Sequence, residues 1–163
     1  MDKKEETQVE KNFERLKETY GEDMILVAVY GTLRQGESNH RVLKGNQYRS
    51  PILLGTIRSK PEFTMYNLGA FPGIVGGNTG IVLEVYAVPE LSVQRRLDNL
   101  EGYHGEQYND PQHPMSNHYN KTMIETPWGN SELYIYNGKP YRDDIITSGD
   151  WIKRDKVDNE IPL

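Results

Sequence analysis

The chain has 163 residues, enough for one domain built on one core. With a net charge of -5, a hydrophobic fraction of 36% and a mean hydropathy of -0.76, it holds no window near the ~18 apolar residues of a membrane span, and its acidic balance argues against a nucleic-acid partner. It has no cysteine, which excludes disulfides, thiolate metal sites and a cysteine nucleophile; with the polar start Met1-Asp2-Lys3-Lys4-Glu5-Glu6, a cytoplasmic location is expected.

Residues 1–22 are charged, with Phe13, Leu16 and Tyr20 at helical spacing and Gly21 as a stop. They predict an amphipathic arm, packed on the domain or on a partner, and the segment where a homo-oligomer contact would form. The unbroken apolar run of residues 24–29 predicts a buried strand. A glycine-bearing loop follows, and residues 37–45 read as a short helix capped by Ser38 or Asn39 and ended by Gly45. Strands are expected over 50–57 and 63–66, punctuation over 69–73, a turn at 76–78 and a strong strand over 80–88.

Pro89 opens a helix that runs to Leu100, in keeping with proline's preference for a first turn. Residues 104–118 form a polar loop. His104, His113 and His118 with Glu106 match no standard ligand spacing, so no metal or other cofactor is expected; the loop's position beside Glu101 suits a lid. Residues 121–126 and 131–137 form a hairpin around Pro127-Trp128-Gly129-Asn130, with Trp128 at its tip or in an interface. Trp151 is expected to pack against the domain. The sum is a single α+β domain over 23–155, a mixed curled sheet or small β-barrel with flanking short helices, between the 1–22 arm and a 156–163 tail.

Two segments carry chemistry. Val93, Leu97 and Glu101 are spaced four apart, so on a helix they share one face, with Leu100 beside them. If the helix runs far enough, Glu101 faces the core or a cleft, and burial together with the helix's negative end raises its pKa toward that of a general base. If Gly102 ends the helix earlier, Glu101 bends out to solvent. Asp98 reads as a plain surface charge. The other segment is Tyr30-Gly31-Thr32-Leu33-Arg34-Gln35-Gly36, after the first strand. Its backbone N–H groups could converge on a carboxylate or an oxyanion, with Arg34 adding a charge. The spacing fits neither a phosphate loop nor a dinucleotide fingerprint.

Val29-Tyr30-Gly31-Thr32-Leu33-Arg34-x-Gly36-x-x-Asn39-His40, then Phe71-Pro72-Gly73 before Gly80-x-Val82-x-Glu84-Val85-Tyr86, then Leu97-Asp98-x-Leu100-Glu101-Gly102-Tyr103, and finally Tyr134-x-Tyr136 and Ile146-x-Ser148-Gly149-Asp150-Trp151 occur in a meaningful order. In that order they resemble the gamma-glutamylcyclotransferase-like family, of the gamma-glutamylamine cyclotransferase type, over roughly residues 24–152. The 1–22 arm and the long 104–118 loop depart from the pattern. The resemblance implies a mixed β-barrel with flanking helices. It implies Glu101 as the catalytic acid/base, and Tyr30, Gly31, Thr32 and Leu33 as the substrate-binding loop. It also implies a small-molecule γ-glutamyl substrate that releases its amine as the glutamyl part closes to 5-oxoproline. Because the substrate brings its own nucleophile, that reaction suits a chain without cysteine or an evident triad. The competing reading is a non-catalytic small-molecule binding module, or a protein-interaction protein, on the same fold.

Overall fold

A computed structural model describes residues 23–44 and 51–154, together with Lys11, Glu14, Arg15 and Glu18. The stripe of Phe13, Leu16 and Tyr20, the Gly45 stop and the tail beyond residue 154 lie outside the described residues. In chain order the strands are β1 (Met24–Val29), β2 (Ile52–Arg58), β3 (Phe63–Asn67), β4 (Pro72–Gly76), β5 (Val82–Pro89), β6 (Tyr119–Thr126) and β7 (Gly129–Tyr136). The helix α1 (Glu90–Glu101) lies between β5 and β6.

Five strands make one mixed sheet in the order β2-β5-β1-β7-β6, and β3 with β4 makes a separate hairpin. β1 is central. It runs antiparallel to β5 along its whole length and parallel to β7 through the register Val27↔Glu132. Its continuous apolar sequence follows from that position, since both of its faces are covered. Leu26 and Ala28 join one core cluster with Leu83, Val85, Leu133 and Trp151. Val27 and Val29 join the other, with Val88, Val93, Leu97 and Leu43. The second cluster is the one that α1 covers.

The sheet curls but does not close, which corrects the expectation of a small β-barrel. β2 and β6 are its two edges, with no ladder between them among the described residues. The turn after β6 nonetheless brings Trp128 onto β2, where a Cβ at Gly55 would come within 2.5 Å of the indole. Trp128 is thus packed against the core rather than held at a free tip.

Two elements differ from the sequence expectation. Residues 72–76 form β4, where only glycine and proline punctuation had been read. Proline is tolerated because Pro72 is the strand's first residue. Gly73 admits β7, since a Cβ there would lie 2.9 Å from that of Tyr136. The expected helix over 37–45 contracts to a 3-10 turn, His40–Leu43, without a side-chain cap. The Asn39 side-chain oxygen accepts no cap hydrogen bond, and the Asn39 Nδ2 donates to Thr32 Oγ1 at 2.9 Å.

One buried polar network ties the loop after β1 to the sheet. Arg34, only 6% exposed, donates through Nε to Glu84 Oε2 at 2.8 Å and through Nη1 to Asp150 Oδ1 at 2.7 Å. The Gln35 N–H and the Tyr86 hydroxyl donate to Glu84 Oε1 at 2.8 and 2.6 Å. Burial by itself pushes the Glu84 carboxyl up; the donors from Tyr86, Arg34 and Gln35 outweigh it and hold the pKa below the usual value. Arg34→Met would leave two carboxylates buried without their cation. The expected loss is about 3–5 kcal/mol of folding free energy, read from the urea midpoint.

Candidate active site

β1 ends at Val29, and the 30–33 turn carries the chain away from the sheet while β7 continues alongside. The gap is a cavity of about 290 Å³. The turn forms one wall, Phe71 and Pro72 another, and Tyr119 and Tyr134 come from β6 and β7. The end of α1 supplies Leu100 and Glu101. The two segments singled out in the sequence therefore meet in one cavity.

The position of Glu101 follows from how α1 ends. Val93 and Leu97 are fully buried on the stripe that leads to it. Gly102 adopts φ 64°, a left-handed conformation that glycine takes without strain. Its N–H donates to Asn99 O, and the Tyr103 N–H reaches back to Asp98 O at 2.9 Å. This paired closure is the Schellman arrangement, and it fixes Glu101 as the last helical residue. Leu100 departs from the stripe: it is 41% exposed and forms part of the cavity mouth.

Glu101 is half-buried and makes no hydrogen bond or ion pair among the described residues. Burial alone pushes its carboxyl pKa up to about 7. Three phenols stand near it, and each is committed elsewhere. Tyr30 donates to Tyr134 O at 2.8 Å, Tyr119 to Pro72 O at 2.6 Å, and Tyr134 to Asp98 Oδ1 at 2.7 Å. Burial, followed by neighbouring groups that include the Glu101 charge, raises all three phenol pKa values, so they are neutral. The carboxylate thus meets a low-dielectric wall that does not neutralise it.

The turn's own hydrogen bonds use its carbonyls. Arg34 N–H donates to Gly31 O at 3.0 Å, Asn39 N–H to Thr32 O at 2.9 Å, and a His40 ring nitrogen lies 2.8 Å from Leu33 O. These bonds hold the turn rigid through acceptors and do not engage the amides of Gly31, Thr32 and Leu33. The Thr32 hydroxyl accepts from Asn39, so its own proton remains available. Gly31 must be glycine for packing: a Cβ would come within 2.6 Å of the Pro72 ring. Arg34, expected to add charge to the anion site, instead lies in the Glu84 and Asp150 network.

Asp98, read as a plain surface charge, is a hub. Its Oδ1 accepts from the Tyr134 hydroxyl, from Lys121 Nζ at 3.0 Å and from Gln94 at 3.2 Å. It thereby orients Tyr134 in the cavity wall. Sequence reasoning also missed Asn39, Phe71, Tyr119, Tyr134 and His118 as lining residues. The abundance of tyrosine was a signal, but which tyrosines line a cleft depends on strand register. Of the three loop histidines only His118 reaches the cavity, its ring in edge and tilted contact with Phe71, Tyr119 and Tyr136, whose centroids are 4.9–5.7 Å away. Burial lowers its imidazole pKa, which favours the neutral ring. The 104–118 loop folds around Asn117, 2% exposed, whose side chain accepts from His104 N–H at 2.7 Å and donates to Gly105 O at 2.8 Å. Among the described residues no cluster of His, Asp and Glu is arranged to hold a metal, and no helix is long and apolar enough to cross a membrane.

A carboxyl whose folded pKa lies above its ordinary value stabilises the fold in acid, and that contribution is lost as pH rises through the folded pKa. For Glu101 the window runs from the ordinary carboxyl value of 4.5 to about 7. Glu101→Gln is therefore expected to be more stable than the parent at about pH 8, by about 1–2 kcal/mol after allowance for water in the cavity, and to match it near pH 4. Thermal melts of both proteins at the two pH values measure this.

Comparison with known proteins agrees with these landmarks. Residues 27–153 match the family model described as gamma-glutamyl cyclotransferase, AIG2-like. A Vibrio cholerae protein that carries a gamma-glutamylcyclotransferase name is 42% identical over 129 residues, covering 79% of this chain and 96% of that protein. The gamma-glutamylcyclotransferase family protein YtfP of Escherichia coli is 32% identical over 130 residues, covering 80% and 98%. Among solved structures, the protein PH0828 of Pyrococcus horikoshii superposes with a TM-score of 0.61 at 25% identity, covering 83% of this chain and 95% of that one. The chain belongs to the AIG2-like gamma-glutamyl cyclotransferase family.

Proposed function

We propose that this protein is a cyclotransferase that releases an amine from a γ-glutamyl amide as the glutamyl part closes to 5-oxoproline. Family membership supports the cyclotransferase role. The observation that carries the finer reading is the Glu101 carboxylate, which has no partner among the described residues and has a pKa pushed up to about 7, in the same cavity as the 30–33 turn.

In this reading the glutamyl head lies curled in the cavity, its α-carboxylate or its γ-carbonyl oxygen facing the amides of Gly31, Thr32 and Leu33 and the Thr32 hydroxyl. Curling brings amine and carbonyl together, and well-oriented intramolecular reactions gain up to about 7–11 kcal/mol. Glu101 takes a proton from the substrate ammonium, whose ordinary pKa is about 7.7–8.0. A base near pKa 7 is well matched to that proton. The freed nitrogen attacks the γ-carbonyl carbon, forming the ring bond and placing negative charge on the carbonyl oxygen. The oxygen's electron pair then re-forms the carbonyl, the bond to the leaving nitrogen breaks, Glu101 returns its proton to that nitrogen, and the ring nitrogen's second proton follows by way of the same carboxylate. The products are 5-oxoproline and the released amine as its ammonium ion, with no water consumed and Glu101 again ionised.

Glu101→Gln keeps the shape of the site and removes the proton acceptor. The expected result is a loss of at least about a hundredfold in kcat, the low end of general-base contributions, with ligand binding retained. Release of 5-oxoproline, followed by mass spectrometry over a panel of γ-glutamyl amines, tests this. Near-parental release by the variant would remove Glu101 from the mechanism.

A further inference from the structure

The cavity at Glu101 shares two of its lining residues, Phe71 and His118, with a second and larger cavity of about 640 Å³. The turn between β3 and β4 borders that space, along with Tyr136 at the end of β7 and the following segment with Lys139, Tyr141 and Asp144. The first cavity, at about 290 Å³, lies at the low end of ligand pockets, which run from roughly 300 to 1,000 Å³. It suits a glutamyl head but leaves little room for a long substituent on the amide nitrogen.

The lining of the second cavity has features of a receptive surface. Lys139 and Asp144 carry opposite charges and line the same space, yet neither side chain makes a hydrogen bond or ion pair among the described residues. Tyr141 is 81% exposed beside them, an aromatic face without protein cover. Phe71 and His118, in edge contact at 5.7 Å, stand at the junction, and His118 is held there by further ring contacts with Tyr119 and Tyr136.

We propose that the second cavity receives the amine that leaves, entered past Phe71 and His118, and that Lys139 and Asp144 select amines whose far end is charged. The inference rests on the cyclotransferase reading. The scissile nitrogen lies at the junction, within reach of the Glu101 cavity, and its substituent extends along Tyr136 and Tyr141. Lys139 favours a terminal carboxylate and Asp144 a terminal ammonium, so changing either charge shifts the choice between such amines.

The test uses three substrates: γ-glutamyl methylamide, whose substituent is too short for the second cavity, the γ-glutamyl amide of an aliphatic ω-amino acid, and that of an aliphatic diamine. Release of 5-oxoproline gives kcat/KM for each with the full chain, Lys139→Glu and Asp144→Lys. Both positions are exposed, so the variants are expected to fold. The ratio of the carboxylate-ended to the ammonium-ended substrate should fall in Lys139→Glu and rise in Asp144→Lys, each by about fivefold or more, since an exposed charge pair is worth up to about 1 kcal/mol and reversal replaces attraction by repulsion. Unchanged ratios in both variants, or turnover of the methylamide alone by the parent, would overturn the subsite and leave the cyclotransferase reading standing. No release from any of the three by the parent would overturn that reading, and this inference with it.

Discussion

Among the described residues an ionised Glu101 has no cation and no hydrogen-bond donor to hold it, and the site is built around that unmet charge. The carboxyl is fixed by backbone geometry, not by a partner. Val93 and Leu97 lock the helix face, and the left-handed Gly102 stops the helix one residue after the carboxyl enters the cavity. A salt bridge would have oriented the same side chain, but it would also have lowered its pKa and removed its use as a base near neutrality. Burial without a partner costs stability, and that cost is the source of the proton affinity proposed for catalysis.

The surroundings are consistent with that design. Three phenols close to Glu101 are spent on Tyr134 O, Pro72 O and Asp98, so they wall the cavity without quenching the carboxylate. The turn after β1 is held through its carbonyls, and the loop that continues it is tied to the sheet by the Arg34, Glu84 and Asp150 network. A rigid turn with its amides outside the turn's own bonding is what preorganised stabilisation of a developing oxyanion requires. The fold supplies the room: β1 stops where its parallel neighbour β7 goes on, and the resulting gap lies beside the end of α1.

Much of this was legible in the sequence, for identifiable reasons. The run at residues 24–29 could only be a doubly covered strand. The spacing of Val93, Leu97 and Glu101 offered a carboxyl that faces a cleft or, with an earlier stop at Gly102, bends out to solvent; the resemblance singled that carboxyl out, and it lines the cavity. The long-range partners were not legible. Arg34 looked like an anion ligand because its loop does, but its side chain turns inward to acids 50 and 116 positions away. Asp98 looked exposed because acidic side chains usually are, whereas its partners Lys121 and Tyr134 arrive from β6 and β7. β4 was hidden by proline and glycine, residues that read as breaks until a single-partner hairpin gives them a place. The packing of the β6–β7 turn onto β2 also depends on one tertiary contact, Trp128 over Gly55, that no local pattern encodes.

The central claim is the proton affinity of one side chain, and carboxyl carbon chemical shifts measure it directly. In protein labelled with carbon-13 at glutamate, the Glu101 signal is assigned by its absence in Glu101→Gln and followed through a pH titration. A midpoint at about 7 is predicted. A midpoint near the ordinary ~4.3 of an exposed glutamate would mean that the carboxylate is fully solvated and would contradict the account.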